Sequence, residues 1–88
     1  MSGPLTIEVQ ATPNPNAAKF TLNRVVAEQG TTYRLPGNHP EWAMRLLNIP
    51  GVTQVFALQS FITVSKSPEG EWGAIAPQVE RVLHETLA

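Results

Sequence analysis

The 88-residue chain contains no cysteine and no aspartate. Without a thiol there is no disulfide, no thiolate nucleophile and no Cys-based metal or cluster site, and the composition fits a reducing compartment. All seven acidic residues are glutamates, so no Ser-His-Asp set exists. Glu69 and Glu71 fall on a turn, and no nucleophile–base or paired-carboxylate arrangement can be assembled, so no catalytic residue is named and an enzyme is not expected. Histidine is equally sparse. His39 and His84 are far apart in sequence and neither belongs to an HxxE or HxxxH spacing, which leaves no metal site and no cofactor to expect. Six Lys and Arg against seven Glu give a net charge of −1, a balance that attracts neither nucleic acid nor anionic membrane. No apolar run approaches the roughly 20 residues of a membrane span. Met1-Ser2-Gly3-Pro4 has neither the basic start and apolar centre of a signal peptide nor a glycine at position 2 for myristoylation. A cytoplasmic protein is the expectation.

What is present is patterned. A hydrophobic content of 42% in 88 residues supports one core, hence one domain over 1–88. Leu5, Ile7, Val9 and Ala11 alternate with Thr6, Glu8 and Gln10, the pattern of a half-buried antiparallel strand. Lys19 to Asn23 repeats it with Phe20 and Leu22 inward. Between them "ATPNPNAAKF" places Pro13 and Pro15, which fix their own φ and hold Thr12 and Asn14 extended. Asn14 and Asn16 can bond nearby backbone groups and tolerate left-handed φ. The result is a stiff reversing corner.

Gly30 reads as a turn, with Tyr33 and Leu35 in a short third strand. Asn38 or His39 is placed to cap a helix that has Pro40 at its first position and Ala43, Met44, Leu46 and Leu47 on its apolar face. Pro50 and Gly51 stop it. Val52–Leu58 and Phe61–Lys66 form a hairpin joined at Gln59-Ser60. In the last helix Ile75, Val79, Val82, Leu83 and Leu87 make an amphipathic stripe, with Pro77 expected in the first turn. The order β-β-(short β)-α-β-β-α predicts an α+β two-layer sandwich: both helices on one face of a mostly antiparallel sheet, the other face open.

The blocks "TPNPNAAKF", "IPGVTQVFALQSFITVSK" and "EWGAIAPQVERVL" resemble, in the same order and over nearly the whole chain, the N-terminal domain of the Nfu/NifU-type iron–sulfur cluster scaffold proteins. In larger members a further domain carries the Cys-x-x-Cys pair that holds the cluster. A chain that ends at Ala88 without cysteine resembles a stand-alone version of the accessory domain. The resemblance implies recognition of partners or stabilisation of an assembly, with an iron–sulfur carrier or client protein as the partner.

Five residues are candidates for partner binding: Asn14, Asn16, Lys19, Arg34 and Lys66. The corner presents Asn16 and Lys19 at low entropic cost, although its asparagines also serve the turn itself. Lys19, Arg34 and Lys66 form a basic patch if their strands are adjacent, and scattered surface cations otherwise. An RNA-reading sheet needs stacked aromatics; Phe20 and Phe56 read as core, which leaves Phe61 for the open face. Trp72 is expected to close one end of the core, and Trp42 either packs in the core or anchors an interface. Besides an accessory interaction domain, a structural oligomerisation domain and a metal-dependent protein or small enzyme with an unrecognised site remain open. The oligomeric state is not specified by the sequence.

Overall fold

Strand β2 (Ala17–Leu22) buries every second residue, Ala18, Phe20 and Leu22, and leaves Lys19 and Thr21 on the opposite side. The same alternation runs through β4 (Val52–Gln59) with Val55 and Ala57 and through β5 (Phe61–Lys66) with Ile62 and Val64. These parities define one inward face for the sheet. In the computed structural model, which describes residues 4–87, five strands lie in the order β1-β2-β5-β4-β3, and every neighbouring pair is antiparallel. The Met1-Ser2-Gly3 start and Ala88 lie outside the described residues.

Both helices cover the inward face. Helix α1 (Glu41–Leu47) buries Trp42, Ala43, Leu46 and Leu47, and α2 (Trp72–Leu87) buries Ile75, Val79, Val82 and Leu83 against the same cluster as Phe20, Val55 and Ile62. A fully buried side chain such as Phe20 contributes about 1.5–3 kcal/mol by leaving water. The α+β sandwich with two helices on one face is the predicted one.

Four local expectations need correction. The third strand, β3 (Ala27–Tyr33), is longer and earlier than the Tyr33–Leu35 stretch, and it runs through Gly30 instead of turning there. A Cβ on Gly30 would meet the Phe56 ring at 3.1 Å. That glycine permits close approach next to the register shift between Ala27 and Thr31, a common use of glycine inside a strand. Strand β1 (Ile7–Ala11) sets Val9 opposite the buried Phe20 but is an edge strand and not the half-buried one expected: Val9 is 43% exposed and Ala11 is exposed too. Pro40 is the cap residue of α1 and not its first helical residue, and no side chain caps the helix. The His39 ring instead donates from Nε2 to Arg34 O at 2.7 Å and meets Tyr33 edge-on. Pro77 is the sixth residue of α2, past the first turn. It is exposed. Among the described residues no helix is long and apolar enough to cross a membrane.

Candidate functional site

The Pro-Asn corner is tied down from both sides. Internally, the Asn14 Oδ1 accepts the Asn16 N–H at 2.9 Å, and the Thr12 hydroxyl accepts the Asn14 N–H while lying 3.0 Å from Ala17 O. Externally, the Trp72 indole donates to Pro15 O at 3.0 Å, the Lys66 N–H donates to Asn16 O at 2.8 Å, and the Lys66 ammonium donates to Asn16 Oδ1 at 3.0 Å. Lys66 also lies 5.9 Å from the centre of the Trp72 ring. The corner therefore docks on the end of β5 and the start of α2. Asn16, Lys66 and Trp72 form one joint.

Beyond that joint β2 starts, and its alternation puts Lys19 on the side of the sheet away from the helices. Its ammonium sits 4.5 Å above the Phe61 ring, a cation–π contact. Phe61 in turn lies 6.2 Å from Phe56. Because Leu58 pairs with Phe61 and Ala57 with the buried Ile62, Leu58 and Phe56 share the outward parity. All four side chains are partly exposed. An apolar strip of Phe61, Phe56 and Leu58, flanked by one cation, thus occupies the middle of the free sheet face.

Phe56 is the residue that sequence reasoning misassigned: it belongs to this strip and not to the core. The signal that finds it is parity, since a two-residue loop at Gln59-Ser60 forces 56, 58 and 61 onto one side.

The structure separates the three proposed cations. Arg34, just past β3, lies on the free face but donates to Gln54 Oε1 at 2.7 Å. Two strands, β5 and β4, lie between it and the strand of Lys19, a lateral distance of about 14 Å at the usual strand spacing. Lys66 turns to the helix side and is engaged in the joint. Asn14 is exposed but occupied with the turn. Of the five candidates, Asn14, Asn16 and Lys66 are linked in the corner and its joint, Lys19 stands with the apolar strip, and Arg34 stands apart. Trp42 is buried and packs edge-on against Tyr33. Among the described residues no three His or Glu side chains are grouped to hold a metal ion.

These elements make an α+β two-layer domain with a braced corner and a partly apolar free sheet face. The sequence model described as "Scaffold protein Nfu/NifU N terminal" matches residues 7–88, and the chain belongs to that family. Among curated relatives it is 38% identical over 86 residues to a protein of Drosophila grimshawi named "NFU1 iron-sulfur cluster scaffold homolog, mitochondrial", covering 93% of this chain and 29% of that protein. It is 32% identical over 81 residues to "Conserved virulence factor C" of Staphylococcus aureus, covering 90% and 22%. The chain thus spans under a third of the length of the curated relatives it matches. Among solved structures, protein SAV1430 of Staphylococcus aureus superposes with a TM-score of 0.79 at 30% identity, over 88% of this chain and 96% of that one. A NifU-like protein of Saccharomyces cerevisiae shares the fold, with a TM-score of 0.83 at 24% identity over 96% and 79%.

Proposed function

We propose that residues 1–88 act as a non-catalytic interaction domain in iron–sulfur cluster assembly or delivery, docking on a carrier or client protein and leaving the cluster to that partner. The observation that carries this reading is the Lys19–Phe61–Phe56–Leu58 strip on a sheet face that the helices leave bare. Partly exposed aromatic and aliphatic side chains beside a cation make a small anchor set of the sort that dominates binding energy. Membership in a scaffold family supplies the chemical setting. The 88 residues hold no thiolate with which to bind iron themselves. The reading includes the cytoplasm as the compartment, in keeping with a thiol-free composition. Asn16 and Lys66 support the surface from behind by fixing where β2 begins.

The test is affinity capture on immobilised protein from extract of the native cell, with mass-spectrometric identification. Wild type is expected to enrich iron–sulfur proteins, and Lys19→Glu and Phe56→Ser to lose them while keeping native circular dichroism. Equal capture by the variants, or enrichment of no iron–sulfur protein, refutes the reading. Self-association has one observation in its favour, the edge strand β1 with Val9 43% exposed. Mass in solution separates it: a dimer abolished by a charge at Val9 would assign the interaction to that edge.

A further inference from the structure

The helix layer carries a second concavity, remote from the sheet face. A cleft of about 310 Å³ opens between the end of α1 and the middle of α2, lined by Arg45, Asn48, Ile49, Pro50, Gln78, Arg81 and Val82. Its apolar lining is built from Ile49 and Val82, which are 6% and 7% exposed, and the ring of Pro50. Two of the chain's six basic residues stand in its wall although the net charge is −1.

The two arginines differ in state. Arg45 pairs with Glu85 of α2, with both side chains between 40% and 49% exposed. A pair so exposed is held by at most about 1 kcal/mol, so an incoming carboxylate can take the place of Glu85. Arg81, one turn before Glu85, is exposed and makes no ion pair with any described residue. The amides are pinned: Asn48 donates to Met44 O at 2.8 Å and Gln78 to Ala74 O at 2.9 Å. Each retains a second N–H.

We infer that this cleft docks an acidic peptide segment of a partner protein, with one aliphatic side chain on Ile49, Pro50 and Val82 and flanking carboxylates on Arg45 and Arg81. Charge selects the occupant. Planar guanidinium groups match carboxylates in a bidentate fashion, and a basic or neutral segment would leave them unanswered. Volume limits the occupant. The cleft lies at the small end of the roughly 300–1,000 Å³ range of ligand cavities, room for one side chain and its neighbours.

The probe is the acetylated, amidated peptide Glu-Glu-Leu-Glu-Glu, titrated into ¹⁵N-labelled protein. The expected result is saturable shifts of the Asn48 and Gln78 side-chain amides and of the Arg81 and Val82 backbone, weakened by added salt. Arg81→Glu, a change at an exposed position, should weaken binding by at least about fivefold. Replacing the peptide's leucine by alanine should weaken it about tenfold. Any of the following overturns the inference: no shift at these amides up to the solubility of the peptide, an unchanged affinity in Arg81→Glu, or shifts confined to the sheet face. Succinate shifting the same amides as strongly as the peptide would also overturn it, by assigning the cleft to a small dicarboxylate. None of these outcomes depends on the sheet-face reading, which is tested by other residues.

Discussion

The ammonium of Lys66 lies 3.0 Å from the side-chain oxygen of Asn16, across 50 residues of sequence. The same lysine reaches its own neighbour Ser67 O at 3.3 Å, and its backbone N–H donates to Asn16 O. With the Trp72 indole on Pro15 O, the corner, the last residue of β5 and the first residue of α2 are held as one unit. A Pro-Asn turn needs no such partners merely to reverse direction. Here they fix the position of the turn relative to the core, and through it the strand that carries Lys19.

That joint makes a coupling prediction. A partly buried hydrogen bond to a charged donor contributes about 1–2 kcal/mol after allowance for solvent screening. Lys66→Met, which keeps the aliphatic stem, and Asn16→Ala are each expected to cost about that much in urea unfolding followed by tryptophan fluorescence. The double variant should cost clearly less than the sum, because either change alone already breaks the contact. Strict additivity would mean that the two side chains are close but energetically independent.

The two phenylalanines that composition cannot tell apart should respond differently. Phe20 is fully buried and Phe56 partly exposed on the free face. Phe20→Ala is expected to cost about 3–5 kcal/mol, enough to threaten the fold of so small a chain. Phe56→Ala should cost markedly less, about 1–2 kcal/mol, since it opens no enclosed cavity. Thermal unfolding of both variants checks the order, and the reverse order would place the sheet face on the wrong side.

Much of this architecture was legible because alternation is a strong signal wherever one face is dry. Phe20 with Leu22 and the stripe from Ile75 to Leu83 are found without any structure. The misreadings share a cause. Gly30 reads as a turn in sequence because glycine more often serves a turn than a strand, whereas its close contact with Phe56 involves a residue 26 positions away, which local pattern does not contain. Pro77 sits deeper in α2 than its chemistry prefers, since the helix starts at Trp72, where the indole finds Pro15 O. For the candidate site, residue types could be listed but not their facing. Lys19 and Lys66 look alike in sequence, yet one lies over Phe61 on the bare face and the other is drawn to Asn16 and Trp72 on the helix side. The α1–α2 cleft depends on the packing of two helices and left no local trace at all.

Strand β4 is bracketed by two residues with left-handed φ, and they should respond in opposite directions. Gly51, just before it, has φ 98°, and a Cβ there would lie 3.0 Å from the Cδ1 of the buried Ile75. Gly51→Ala therefore meets backbone strain and a core that must shift, and is expected to lose about 1–3 kcal/mol. Gln59, at the other end, holds φ 55° with a side chain that donates only a 3.3 Å bond to Glu28 O. The left-handed conformation costs an L residue about 1–2 kcal/mol, partly offset in a glycine variant by the greater freedom of its unfolded chain. Gln59→Gly should accordingly gain about 0.5 kcal/mol, a rise of a few degrees in Tm for a domain of this size. Gln59→Ala separates the two effects, because it removes the amide without relieving the backbone. If alanine stabilises as much as glycine does, the left-handed turn at Gln59 is not where the strain resides.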